Sequence, residues 1–199
     1  GKSQMRLAAQ AERLVPVSLT YRLAAPELWL ADLREARGTS KTPEVLRQVT
    51  GEGRAWMEKG LFSSRGRISS ARGTINDVNY TDLQAAFSMA GQVVNIDSFA
   101  LKALKGSLQG RGQYDMREST PRFTATTQVR DWDLAELLRW AAPAAPRHLR
   151  GGINLDLNLA GSGNRWEEIQ RSLSGQGQAE IMRGALLDIN VAESTLAGL

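Results

Sequence analysis

Hydrophobic and polar residues alternate through the middle of the chain. Apolar side chains take about every second position in residues 83–89, 94–101, 108–114, 123–129 and 153–159, with Gly110 and Gly112 replacing two of them. A period of two residues is typical of a β-strand that buries one face. Runs of about 5–8 residues separated by turns predict an antiparallel meander. Residues 17–23 and 28–33 predict two further strands, with an Ala-Pro turn between them.

Short helices are predicted at four places, namely residues 4–14, from residue 43 onward, residues 134–142 and residues 166–173. The first has helical spacing of Leu and Ala, but it has no bulky aromatic residue, so we expect it to pack on the domain rather than on a membrane surface. Thr42 and Pro43 suit the N-cap and first position of the second helix. Asp131 and Asp133 are candidate caps of the third helix.

Two segments share the order helix, Gly-x-Gly, strand, glycine, which indicates an internal repeat. They lie near residues 43–62 and 167–186, and they align Gly51 with Gly175, Gly53 with Gly177 and Gly60 with Gly184. We therefore divide the chain into residues 1–42, a helix and strands continuous with the sheet, and residues 43–199, a β-repeat region.

The composition suits a chain with many strands and few helices. Of 199 residues, 42% are hydrophobic, 6% are aromatic and 19 are glycine, a residue that suits tight turns. An apolar sheet face must be covered by a second sheet, a helix or a ligand, and the predicted helices are too small to cover every strand. The expected fold class is β-rich α+β, an elongated, twisted, mostly antiparallel sheet with short capping helices.

Charge and reactive side chains argue against catalysis and nucleic-acid binding. The net charge is +4 with a pI near 9.8, but the arginines are dispersed, whereas nucleic-acid binding favours a clustered basic face. There is no cysteine, and the one histidine, His148, lies among arginines without a carboxylate neighbour. Capping explains Asp131 and Asp133 better than a paired-acid site does. The Gly-x-Gly pairs lack a Walker lysine, so strand turns or bulges explain them better than phosphate cradles. We expect a non-catalytic chain with no cofactor and no metal.

The chain shows neither a signal peptide nor an apolar stretch of about 18 residues that would span a bilayer. Because it starts at Gly1 and stops at Leu199 inside an apolar segment, we expect a piece of a longer protein.

Several blocks of the sequence resemble the C-terminal region of the AsmA family, which includes the TamB-like proteins. The family pattern L-x-G-x-G-x-A-x-I-x-x-G-x-L-x-G/D-I-x-V/L is present at Leu173, Gly175, Gly177, Ala179, Ile181, Gly184, Leu186, Asp188, Ile189 and Val191. The alternating blocks over residues 83–89, 94–101 and 106–115, and the helix start at Asp131, resemble the region that precedes it. The resemblance covers about residues 43–191. One departure is that Trp56 and Met57 stand in the first repeat where Glu180 and Ile181 stand in the second.

This resemblance implies a protein of the Gram-negative envelope, periplasmic and anchored to the inner membrane through a part of the parent protein outside this chain. Similar proteins are bridge-like lipid transporters, in which a curled β-sheet forms an apolar groove for acyl chains. The implied function is phospholipid transport between membranes and outer-membrane biogenesis, with a phospholipid or another acyl-chain lipid as ligand and envelope proteins as possible partners.

We predict that the groove is lined by the apolar face of the central strands, at Phe87, Met89, Val94, Ile96, Leu101, Leu108, Phe123, Val129, Ile153, Leu155 and Leu157. The alternative is that these side chains form a closed core. The chain would then be a structural or protein-interaction domain of the envelope.

Overall fold

The computed structural model describes residues 2–32, 42–142, 149–164 and 166–186. In these ranges the chain forms a single curled, open sheet of ten antiparallel strands, in which each strand pairs with the next one in sequence. Two short helices and one 3₁₀ turn, Leu30–Asp32, complete the fold. The strands are β1 Arg6–Leu14, β2 Val17–Trp29, β3 Val45–Glu58, β4 Leu61–Ile75, β5 Val78–Ala90, β6 Val93–Ala103, β7 Gly106–Asp115, β8 Arg122–Asp133, β9 Leu149–Ser162 and β10 Ser174–Leu186, and the helices are α1 Leu134–Ala141 and α2 Trp166–Ser172.

The antiparallel meander predicted for the middle of the chain is confirmed, as are the helices α1 and α2. Asp133 is the N-cap of α1, since its Oδ1 accepts a hydrogen bond from the Glu136 backbone N–H at 3.0 Å. Predicted strands such as β5 and β8 are longer than expected, 13 and 12 residues, because they run through bulges that interrupt the sequence alternation. The 15-residue strand β4 was not predicted. The fold is therefore mostly β rather than α+β.

The two N-terminal helix predictions are wrong, since residues 6–14 form β1 and residues 45–58 form β3. Leu and Ala in the first segment occur in helices and in strands. The segment forms a strand because it pairs with β2, with Leu7 opposite Leu23. In β3, Val45 and Val49 are buried, and such β-branched residues favour a strand.

The Ala-Pro turn is also wrong, because β2 continues through Pro26 to Trp29. Pro26 lacks a register partner on β3, so its missing N–H removes no hydrogen bond from that ladder. Gly175 and Gly177 lie within β10 rather than in a turn. The repeat is not confirmed, because Ile169 to Ser172 is helical where the aligned residues 45–48 are extended.

The strand register divides the side chains between two faces of the sheet. One row crosses all ten strands through Leu7, Leu23, Gly51, Ile68, Ala85, Phe99, Gly110, Thr127, Leu157 and Gly177. The adjacent row, which points the other way, contains Arg22, Glu52, Arg67, Ala86 and Ser98. We name the first side the apolar face and the second the polar face.

Glycines on the apolar face make room for large side chains of the neighbouring strand. A Cβ on Gly66 would lie 2.9 Å from Phe87 Cζ, and one on Gly161 would lie 2.7 Å from Phe123 Cε1. These rings therefore lie across the glycine backbone beside them, an arrangement known to stabilise glycine-containing strands.

Bulges shift the alternation near one end of the sheet. The register shifts beside Asp82 in β5 and Asp131 in β8, and both residues have left-handed φ values, 57° and 55°. Tyr80 and Leu83, three positions apart, consequently pack in the same core cluster. Bulges also increase local twist, which contributes to the curl of the sheet.

The buried core lies at this same end of the sheet, and its members are Ala25, Leu28, Leu46, Val49, Tyr80 and Ala103. Ser70 Oγ lies 2.9 Å from Tyr80 Oη and donates to the Arg47 carbonyl, so the buried hydroxyls have partners. Burial raises the pKa of Tyr80, and the hydrogen bond with Ser70 opposes that rise. Helix α1 packs on β8 and β9, and Trp140 donates to the Asn76 carbonyl in the β4–β5 turn at 2.8 Å. This helix therefore lies across the core end of the sheet.

We predict that Gly73→Ala destabilises the protein whereas Gly51→Ala does not. A Cβ at Gly73 would clash with the Val45 carbonyl and lie 2.5 Å from Tyr80 Oη, so we expect a loss of about 1–3 kcal/mol in the free energy of unfolding. At Gly51 the nearest atom is 3.4 Å away, and alanine should change stability by between zero and a gain of about 1 kcal/mol. Urea denaturation of both variants measures the difference, and equal stability would contradict the packing described for Tyr80.

Candidate functional site

The eleven residues predicted to line a groove all lie on the apolar face. Cross-strand register places Phe87 beside Ile96 and Met89 beside Val94. A second row runs through Leu101, Leu108, Val129 and Leu155. Phe123, Leu157 and Ile153 belong to the same face on β8 and β9. The sheet therefore brings together side chains that are up to 70 positions apart in the sequence.

The exposure of these residues separates an open part of the face from a closed part. Val129 and Ile153 are buried, with 2% and 8% of their surface exposed. The other nine, among them Phe87, Met89 and Phe123, are half-buried. Their apolar surface remains partly in contact with solvent in the part of the chain that the structure describes.

The apolar face extends beyond the residues named from the sequence. Tyr21 and Leu23 on β2, Ile68 on β4, Phe99 on β6 and Leu159 on β9 share this face. The sequence predicted strands at Tyr21, Leu23, Phe99 and Leu159 but none at Ile68. Only the register shows that these strands present their apolar positions on one continuous surface.

Three cavities of about 1360, 920 and 790 Å³ lie on the polar face. The lining of the first cavity includes two rows of polar-face residues, with Arg22 and Arg67 in one and Thr50 in the other, whereas it includes only one row of the apolar face, which lies between them. The polar face is therefore concave at these positions. A groove on the apolar face stays a prediction.

Asp133 holds helix α1 at the end of the sheet that contains the buried core. Asp133 Oδ2 accepts a hydrogen bond from Lys105 Nζ at 2.7 Å, and Lys105 also lies 3.1 Å from Glu136. The hydrogen bond from Lys105 is the main cause that lowers the pKa of Asp133, and the backbone N–H of Glu136 adds to it. At the other end of the sheet, Arg117 holds the pKa of Asp115 at about 2.

The remaining candidates for chemistry have structural roles or lie outside the described residues. Asp131 adopts a bulge conformation, and its backbone N–H donates to Asn154 Oδ1 at 2.9 Å. His148 falls outside the described ranges. Within those ranges, no three His, Cys, Asp or Glu side chains are grouped as metal ligands, and no helix is long and apolar enough to cross a bilayer.

A sequence model described as AsmA family matches residues 53–198 of the chain. No curated protein and no solved structure matches it. The matched range includes β4 to β10 and most of the residues of the apolar face.

We predict that Asp133→Ala destabilises the protein by about 1 kcal/mol, because it removes the N-cap of α1. Asp133→Asn is the matched control, since asparagine keeps a capping oxygen and loses only the charge that attracts the exposed Lys105. Thermal unfolding measures both variants.

The effect of Asp133→Ala should depend on pH in the acid range. The folded-state pKa lies below the ordinary value of 3.8, so the contribution of the carboxylate is present above that value and is lost as the pH falls through the folded-state pKa. The difference in stability between the natural chain and Asp133→Ala should become smaller at low pH. A difference that is constant from neutral to strongly acid pH would contradict this role for the charge.

Proposed function

The chain belongs to the AsmA family, and from this membership we propose that its apolar face binds lipid acyl chains during phospholipid transport between membranes. The family is linked to lipid transport and assembly in the cell envelope. We place the chain in the periplasm, in a parent protein anchored to the inner membrane, with outer-membrane biogenesis as the process served.

The proposal is carried by one observation, the continuity of the apolar face across ten strands, with no second layer on its open part among the residues that the structure describes. Neighbouring strands lie about 4.8 Å apart, so the contour across the sheet is about 43 Å. One acyl chain spans half of a bilayer core of about 30 Å, or about 15 Å. The face is therefore wide enough for more than one acyl chain.

The chemistry of the face suits a ligand that moves along it. Each buried methylene gains about 0.8 kcal/mol, without directional preference. Side chains such as Met89, Val94 and Ile96 have no polar group that would fix the position of a chain. A lipid can consequently change register along the face while it keeps a similar buried area.

The second candidate is a structural or protein-interaction domain of the envelope. The observation that favours it is the edge strand β1, in which all nine residues are exposed. A strand edge with unpaired backbone groups can pair with a strand of another protein. In that case the apolar face would be covered by the partner rather than by lipid.

Photo-crosslinking distinguishes these functions. Phe123 lies on the apolar face and the next residue, Thr124, points to the polar face, so p-benzoylphenylalanine at each position samples opposite sides of one strand. We expect irradiation in a Gram-negative cell to give a phospholipid adduct at position 123 and none at position 124, as measured by mass spectrometry of the purified protein. A protein adduct at position 123 in place of lipid would support the interaction domain instead.

A charge on the apolar face should prevent lipid binding. We expect phospholipid to copurify with the natural chain. Met89→Asp places a carboxylate among apolar side chains and should abolish this copurification, because burying an unpaired charge is costly. Thr124→Asp is the matched control and should leave the lipid content unchanged. Circular dichroism establishes that both variants are folded, and a folded Met89→Asp with normal lipid content would contradict the proposal.

A further inference from the structure

The polar face contains a trough that the lipid proposal does not use. The cavities of about 1360 and 920 Å³ share Arg22, Glu52 and Arg67, so they are adjoining parts of one depression, which we call the polar trough. We propose that the polar trough binds a sugar or polyol that carries several phosphate groups. This proposal does not depend on lipid binding, because it concerns the opposite face of the sheet.

The trough has an excess of positive charge. Its charged residues are Arg6, Arg22, Arg54, Arg65, Arg67 and Arg111, together with Glu52 and Asp97. Arg54 is paired with Glu12 at 3.0 Å. Among the described residues the other five arginines form no ion pair. Glu52 lies opposite both Arg22 and Arg67 in the strand register but beyond ion-pair distance of either, so the six arginines still outnumber the two carboxylates. An excess of one charge in a concave site raises the local concentration of the opposite ion.

The separation of the arginines indicates a ligand with more than one anionic group. Arg65 and Arg67 are two positions apart on β4, so their side chains point to the same side and their Cα atoms are about 6.6 Å apart. Across the sheet, at about 4.8 Å per strand, the Cα atom of Arg22 is two strands, or about 10 Å, from that of Arg67. The Cα atom of Arg111 is three strands, or about 14 Å, from that of Arg67 on the other side. A single phosphate cannot contact all of them. Several phosphates on one scaffold can, and each guanidinium can donate a pair of hydrogen bonds to a phosphate.

The uncharged residues of the trough indicate what kind of molecule carries the phosphate groups. Between the arginines the trough presents hydroxyl and amide groups, from Thr50, Ser69, Gln84, Gln109, Thr126 and Gln128. Among the lining residues that belong to the polar face, the apolar ones are alanines, such as Ala86 and Ala100. The larger apolar residues Leu23, Ile68 and Phe99 project to the apolar face. Nucleobases are held by aromatic stacking and peptides by large apolar anchors, neither of which this lining offers. Hydroxyl and amide groups suit a hydroxyl-rich scaffold.

Titration calorimetry with inositol hexakisphosphate as the probe tests the proposal. We expect saturable binding that weakens as the ionic strength rises, because exposed charges are screened. Arg22→Gln, Arg67→Gln and Arg111→Gln should each weaken binding by about two- to five-fold, and the triple variant by up to about 100-fold. These side chains are exposed, so the variants should keep the melting temperature of the natural chain.

Arg139→Gln is the matched control. Arg139 is an exposed arginine on α1, outside the polar trough and without an ion pair among the described residues, so its replacement should change the affinity by less than about two-fold. Unphosphorylated inositol should not bind. No binding of the probe, or an equal loss in Arg139→Gln and Arg67→Gln, would overturn the proposal. A polyglutamate peptide or an oligonucleotide that binds more tightly than the probe would overturn the assignment of a phosphorylated polyol.

Discussion

The structure depends on backbone pairing between each strand and the next along the chain. Ten strands pair in sequence order, so nearly every contact between elements is made between neighbouring strands. In such a sheet the register decides which side chains share a face, since a shift of one residue would move a whole strand's apolar set to the opposite side. The two faces, and with them both proposed binding surfaces, follow from this register.

The unequal packing of the two ends explains how one sheet can be both stable and open. At one end the core around Val49 and Tyr80, with α1 held by Asp133 and Trp140, removes apolar surface from water. Over the rest of the apolar face, rings such as Phe87 and Phe123 lie across neighbouring glycines, which gives them packing contacts within the sheet itself. The closed end is consequently the structural part of the molecule, and the open part is where we propose that a ligand is held.

The two faces differ in the kind of interaction they offer. The apolar face offers burial of hydrocarbon, which is non-directional and scales with area. The polar trough offers guanidinium groups such as Arg22 and Arg67, which form directional, charge-assisted hydrogen bonds. Since neighbouring residues on a strand project to opposite faces, one sheet can carry both surfaces, and each can be altered by substitution without changing the other.

The sequence by itself determined the strands of the central meander, the N-cap at Asp133 and the set of apolar positions from Phe87 to Leu157. These features depend on local alternation and local hydrogen bonding, which a sequence pattern records directly. Tertiary structure decided that residues 6–14 and 45–58 are strands, because alanine, leucine and valine can occupy either structure until a neighbouring strand supplies hydrogen-bond partners. It also decided that Tyr80 and Leu83 share a core, since the bulge at Asp82 reverses the alternation. The position of the cavities on the polar face was equally out of reach of the sequence, because curvature is a property of many paired strands and is not encoded in any one of them.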